Sequence, residues 1–394
     1  MGCGNNSKIT EDLDGIKSRE SYVDSRYELV TKVGNKDLSF DHGNSFHEGR
    51  AVISKTHKEE NGEITSLDAV IDKEGNIISD YIYDYIGVFS DSLADVRKGT
   101  GKIGFIDKSG KLVLDFKYDM VLQGFKNGYA KVRLDGEDVF INKQGKVYKY
   151  NPYFANGLTA ISNKDGKWGY MNKKKKVVID YKYDNAHEFH NGMAAIYVKD
   201  EGWGFIDTKG KEVIKPQYEK VFNFNENLAG VYDGDKWGYI NKSGEYVIEP
   251  KFLLSYGAEA HSFNNGVAVV SLDNESWFLI DSKGKELGNF VTNEIFRFKD
   301  GFAPISTSNG AGFTNIYGDS YINVTYKDVG TVSEGLMAVS KNGKYGFINT
   351  KGNLVINCVF DEVSDFHEGL AFVKKGDKSA YINRMGDIII GNLE

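Results

Sequence analysis

Cysteine is nearly absent from this chain of 394 residues, which has only Cys3 and Cys358 at opposite ends, so neither a disulfide framework nor a cysteine-based zinc site can be read from it. Proline is almost as scarce, at four residues. No apolar run approaches the roughly 18 residues that span a bilayer. Charge of one sign is not in excess either: 49 Lys and Arg stand against 56 Asp and Glu, interleaved throughout for a net charge of -7. A basic stripe able to hold phosphates is therefore missing, and nucleic acid is excluded as an expected partner. What the chain does have is 45 Gly and 13% aromatic residues, a mixture suited to many short strands joined by glycine turns.

Two blocks recur in fixed order along the chain. The first is Phe-x-x-Gly-x-Ala, starting at Phe46, Phe89, Phe125, Phe154, Phe189, Phe224, Phe263, Phe298, Val332 and Phe366. The second is a short apolar strand ending in Asp or Asn with Gly three residues on, as in Asp107/Gly110, Asp207/Gly210 and Asn349/Gly352. The exception is Asn172, which is followed by Lys175. From the Gly position of block one to the Asp or Asn of block two the gap is 14 or 15 residues, except in the first copy, where a polar insertion around His57 to Thr65 lengthens it. Length varies between copies instead, as loops tolerate and paired strands do not. Segments such as Leu228 to Tyr232, Trp237 to Asn241 and Tyr246 to Glu249 are β-rich and separated by polar Gly-containing clusters, so each copy reads as a small antiparallel meander. In the Asp/Asn-x-x-Gly turn the side chain bonds a backbone N–H two residues on, and Gly takes the left-handed conformation. Lys175 is accordingly expected to carry backbone strain of about 1 kcal/mol.

The fold class follows: all-β, a tandem array of about ten three- to four-stranded antiparallel β-meanders, residues 35–394, behind an N-terminal tether and cap at 1–34. One meander is too small to bury its aromatic face, so copies must stack and shelter one another. An open curved or superhelical stack is favoured because ten copies exceed the usual four to eight propeller blades; a β-propeller, or two five-bladed rings, is the alternative. A closed arrangement requires contact between the first and last copies, and an open one leaves them capped and separate.

The second strand often reads Trp-Gly-aromatic: Trp168-Gly169-Tyr170, Trp203-Gly204-Phe205 and Trp237-Gly238-Tyr239, with Ile103-Gly104-Phe105 and Tyr345-Gly346-Phe347 as variants. Alternation puts the two aromatics on one face and bare Gly backbone on the other, a slot in which a neighbouring ring such as Tyr118, Tyr183, Tyr218, Phe252 or Phe360 is expected to lie. These segments, each with its Phe-x-x-Gly-x-Ala partner, resemble the WG repeat family of bacterial proteins. The first, third, seventh, eighth and tenth copies lack Trp-Gly, with Val139-Phe140 or Trp277-Phe278 in its place. The resemblance implies an envelope or secreted protein, and it implies no reaction and no catalytic residues.

Candidate chemistry is sparse. His47, His190 and His367 follow the block-one Phe at one repeat position and read as a turn preference; His187 and His190 form an H-x-x-H whose odd offset separates the rings in an extended chain. The turn carboxylates interchange with Asn, which general acid–base work forbids. Nucleophile elbows, phosphate-binding loops and HExxH motifs are missing. The run Lys173 to Lys176 reads as a solvated tip. No cofactor and no metal are expected, and no catalytic role.

The start, Met1-Gly2-Cys3-Gly4-Asn5-Asn6-Ser7, resembles the end of a bacterial lipoprotein signal with Cys3 as the lipid-bearing residue. The expected function is a non-catalytic, monomeric binding scaffold at the cell envelope, extracytoplasmic and held to the membrane only through that lipid, with a protein or an envelope glycan as ligand. Secreted and cytoplasmic locations are the alternatives. The rival functions are a cell-wall polymer hydrolase using carboxylates near Asp319 and Asp328, and a purely structural spacer.

Overall fold

The computed structural model describes residues 29–58, 64–99, 101–253, 261–273, 276–292, 294–295, 298–307, 310–318 and 326–394. Among the described residues ten small antiparallel sheets follow one another along the chain, seven of four strands and three of three, each a meander whose strand order follows the chain and none closed into a barrel. They span residues 42–83, 85–118, 120–148, 158–183, 185–218, 220–252, 267–292, 294–315, 329–360 and 362–391, and are called sheets one to ten below. On either side of the first-copy insertion a hairpin is extended, with Ala51–Lys58 paired along its whole length with Ile64–Ile71.

The chain divides into two compact units, residues 1–147 with 325–394, and residues 148–324. In the second unit the apolar clusters lie between consecutive sheets. One joins sheets four and five through Tyr170, Tyr183, Phe189 and Ile196. The next joins five and six through Phe205, Ile214, Phe224 and Val231, and a third joins six and seven through Tyr239, Phe252, Phe263 and Val270. Burial at each junction thus combines side chains from two sheets, which is how units too small for a core of their own become stable.

The first unit repeats the pattern at four junctions. Sheets one and two share Val70, Tyr83, Phe89 and Val96, sheets two and three share Phe105, Tyr118, Phe125 and Ile141, and sheets nine and ten share Phe347, Phe360, Phe366 and Val373. The fourth cluster joins sheet ten to sheet one: Leu370, Phe372, Tyr381 and Ile390 pack with Phe40, Phe46, Ile53 and Ile71. The first and last copies are therefore in contact within the first unit.

Backbone geometry explains the glycines of block two. Gly210 has φ +80°, its N–H donates to the Asp207 carbonyl, and the Asp207 carboxylate accepts from the N–H groups of Lys209 and Lys211. The same turn at Asn172 places Lys175 at φ +60°, the strained conformation expected there.

Candidate interaction surface

The glycine of Trp-Gly does not make room for a ring. A Cβ at Gly104, Gly169, Gly204, Gly238 or Gly346 would come under 3.0 Å from the carbonyl oxygen of Leu114, Ile179, Ile214, Ile248 or Ile356, each on the last strand of the same sheet. The cause is a bulge: Trp168 pairs with Tyr183 but Tyr170 pairs with Ile179, so the third strand crowds toward the second strand between them. The expected slot is thus filled by backbone, and the rings of Tyr118, Tyr183, Tyr218, Phe252 and Phe360 sit opposite Ile103, Trp168, Trp203, Trp237 and Tyr345 at the far end of the bulge. The tenth copy has Ala380 at this position, and there a glycine stands on the facing strand: a Cβ on Gly391 would meet the Ser379 oxygen and the Ala380 Cα.

The aromatic after that glycine makes the contact to the next copy. Ring centroids lie 5.1 Å apart for Phe105 and Phe125, 4.9 Å for Tyr170 and Phe189, 4.8 Å for Phe205 and Phe224, and 4.9 Å for Tyr239 and Phe263. Phe347 and Phe366 are 4.8 Å apart. Where that aromatic is Tyr, its hydroxyl donates to the carbonyl two residues before the block-one Phe, at 2.7 Å from Tyr170 to His187 and from Tyr239 to His261. The tryptophans lean on rings of their own chain: Trp203 on His187 and Tyr197, Trp237 on Phe222 and Tyr232, and Trp277 on His261.

A second set of residues carries the junctions and was left as unspecified x in block one. Every copy places Asp, Glu or Asn there with φ between 48° and 55°: Glu48, Asp91, Asn127, Asn156, Asn191, Glu226, Asn265, Asp300, Glu334 and Glu368. The following residue also has positive φ, including Ser92 and Asn227 where glycine is missing, which is the two-residue turn with both central residues left-handed. From several of these turns the side chain reaches the corresponding turn of another sheet. The Ser92 N–H donates to Glu48 at 2.8 Å, and the Gly128 N–H donates to Asp91. In the second unit the N–H groups of Asn265 and Gly266 both donate to Glu226. Asn191 uses its amide as donor, to the Phe224 carbonyl. The signal is present in the sequence as an invariably polar Asp, Asn or Glu, but block spacing alone gives it no partner.

The histidines occupy these turns as expected, since His47, His190 and His367 bridge Arg50, Met193 and Leu370. Burial and the neighbouring His187 keep His190 below its ordinary pKa. Glu188, between them, is pushed up to about 7 by burial, with Thr159 Oγ1 and Asn151 Nδ2 at 3.4 and 3.5 Å as its side-chain donors. Among the described residues no group of three or more His, Cys, Asp or Glu could hold a metal ion. Asp328 accepts from the Ser340 hydroxyl at 2.9 Å, while Asp319 and Cys3 lie outside the described residues. Lys173 to Lys176 form an exposed tip, as read from sequence.

What repeats and stays exposed in three consecutive sheets is alternate positions of the last strand, at the sheet edge. In sheets four, five and six, Val178, Val213 and Val247 occupy the same register and are exposed, followed at alternate positions by exposed Asp180 and Lys182, Lys215 and Gln217, Glu249 and Lys251. Pro216 and Pro250 interrupt the N–H row of two of these edges, which blunts pairing with a foreign strand.

Tandem meanders with cores between consecutive sheets of each unit define a tandem β-repeat protein. The chain belongs to the WG containing repeat family, whose model matches residues 70–102, 103–137, 168–201, 203–237, 237–275, 322–345 and 345–378, together more than half of the chain. No curated protein sequence matches it. Among solved structures it is similar to BamB from Moraxella catarrhalis at 10% identity and TM-score 0.32, over 74% of this chain and 93% of that one. It is also similar to KlHsv2 with loop 6CD replaced by a Gly-Ser linker, at 11% identity and TM-score 0.31, over 58% and 89%. The extracellular domain of the putative hybrid two component system BT3049 from B. thetaiotaomicron matches at 12% identity and TM-score 0.23, over 93% and 59%. Likenesses of this degree assign no role to the chain.

Proposed function

We propose that this protein is a non-catalytic interaction scaffold of the bacterial cell envelope whose ligand is another protein. The observation that carries the reading is the register-matched row of Val178, Val213 and Val247, each exposed beside charged residues on successive sheet edges. A row of this kind presents apolar anchors at a regular interval, the arrangement a repeat surface uses to hold an extended or repetitive partner. Strand addition is disfavoured by Pro216 and Pro250, so recognition runs through side chains. An envelope glycan is supported less well, because stacking on a sugar needs an open aromatic face, and Trp203, Trp237 and Trp277 rest on protein rings.

The test is capture from envelope extracts by the wild-type protein and by the triple variant Val178→Asp/Val213→Asp/Val247→Asp, with captured proteins identified by mass spectrometry. Loss of a specific partner by at least about tenfold, with an unchanged unfolding midpoint, supports the reading. Equal capture by both proteins, or binding only on a glycan array, overturns it. The membrane tether is a separate part of the proposal: intact mass of protein purified from envelope should show a diacylglyceryl adduct on Cys3, and an unmodified thiol there removes the anchor.

A further inference from the structure

Sheets ten and one meet without chain continuity between them, yet their contacts copy those of covalently consecutive sheets. Tyr381 and Phe46 have ring centroids 5.0 Å apart, as Tyr170 and Phe189 or Tyr239 and Phe263 do at 4.9 Å. The Tyr381 hydroxyl donates to the Asn44 carbonyl, two residues before the block-one Phe, at 2.8 Å. The Gly49 N–H donates to Glu368 at 2.9 Å, just as the Gly369 N–H donates to Glu334 and the Ser92 N–H to Glu48. An ion pair of 3.1 Å between Lys73 and Glu368 and a short clip add to it, the clip made by the Gly34 N–H on Ile389 and the Gly391 N–H on Asn35.

We propose that this junction is a separable joint that a second copy of the chain supplies in trans, its sheet ten docking on sheet one of its neighbour. The face of sheet one and the face of sheet ten are complementary and different, so the joint is heterologous, and because the clasp and the ring pair recur at several junctions between consecutive sheets, the chain carries that complementarity at both of these faces. Opening leaves Phe46, Ile53 and Ile71 on one side and Leu370, Phe372 and Ile390 on the other without cover. Exposed faces of that size are recaptured, either by the same chain or by another. Capture within one chain is favoured by an effective concentration on the order of millimolar, so the single-chain form prevails in dilute solution and the trans form is reached when chains fold together at high concentration. The joint does not depend on the partner assigned to the exposed sheet edges.

Lys73 and Glu368 make the test direct, because a zero-length carbodiimide links an ammonium to a carboxylate already in contact. Full-length chains of natural and heavy isotopic composition are unfolded together, refolded at low and at high concentration, separated by size and cross-linked. Peptides joining Lys73 to Glu368 should be of one isotopic composition in the monomer, and about half should be mixed in the oligomers, which should become several-fold more abundant with refolding concentration. A charge exchange gives the second arm: Lys73→Glu and Glu368→Lys chains each set like charges against each other within one chain, whereas a mixture restores opposite pairs between chains. The mixture should oligomerise several-fold more than either variant alone or than the Lys73→Glu/Glu368→Lys double variant. Refolded wild-type protein that stays monomeric at every concentration, or oligomers whose Lys73–Glu368 links are never mixed, overturn the proposal.

Discussion

At the scale of single residues, two kinds of glycine separate cleanly. A methyl group on Gly204 would be under 3.0 Å from the Ile214 oxygen and the Pro216 nitrogen, so Gly204→Ala must push the last strand of sheet five off its neighbour. Gly192 has φ +83° and open space around its missing Cβ, so Gly192→Ala costs only the left-handed conformation, about 1 kcal/mol. Gly204→Ala should cost about 2–3 kcal/mol, read as a larger fall in urea midpoint. Lys175→Gly should run the other way and raise the midpoint by about 1 kcal/mol of stability, because φ +60° ceases to be strained. Glu188 sets a pH dependence. Burial raises its folded pKa to about 7, above the ordinary carboxylate value, so the folded state holds the proton more tightly than the unfolded chain. Stability from this group therefore falls as pH rises from the ordinary carboxylate value to about 7, by at most a few kcal/mol. Unfolding midpoints at pH 5 and pH 8 should differ in the wild type and converge in Glu188→Gln; an unchanged difference would remove Glu188 as the source.

At the scale of the element, the meander and its turns were legible in the sequence because their rules are local. Alternation, glycine punctuation and the Asp/Asn-x-x-Gly signature define strands and hairpins from residues a few positions apart. The Trp-Gly strand was legible as a strand and misread in detail: a bulge is a register property of two strands, and Gly169 or Gly238 looks the same in sequence whether a ring or a carbonyl fills the space beside it. The block-one turn was under-read for a similar reason. Glu226 is visible as a polar residue before Asn227, but its acceptors' work, holding the N–H groups of Asn265 and Gly266, depends on how two sheets face each other. Glu226→Ala should lower stability by about 1 kcal/mol, since the side chain is exposed and part of each hydrogen bond is recovered by water. Glu226→Asn keeps a residue tolerant of φ +48° and should lose less. Amide exchange at Asn265 and Gly266 should accelerate in both variants while the amide of Val270, inside the next strand, stays protected; uniform acceleration would mean that the clasp is part of the core and not a surface tie.

At the scale of the whole molecule, the sequence announces that copies shelter one another but not what covers the free face of the first. Phe46 is one of ten block-one residues, and its partner Tyr381 stands 335 positions away in a copy whose Trp-Gly has become Ser379-Ala380. Both rings are visible in the sequence as recurring aromatics, but their meeting across these two copies is not, because no local pattern encodes it. This contact changes what truncation does. In a linear array, removing a terminal repeat sacrifices one nearest-neighbour interface. Removing residues 362–394 here removes two, the cluster around Phe347 and Phe366 and the cluster around Phe46 and Tyr381. The truncated chain should therefore lose amide protection by about a hundredfold or more at Ile53, Ala69 and Ile71 as well as at Phe347 and Ile356, residues that lie in sheets one and nine. Protection at Val132 and Ile141, in the cluster between sheets two and three, should change far less. If Ile53 and Ile71 kept their protection while Phe347 lost it, sheet one would be stable without sheet ten, and stability would spread along the chain from one end only.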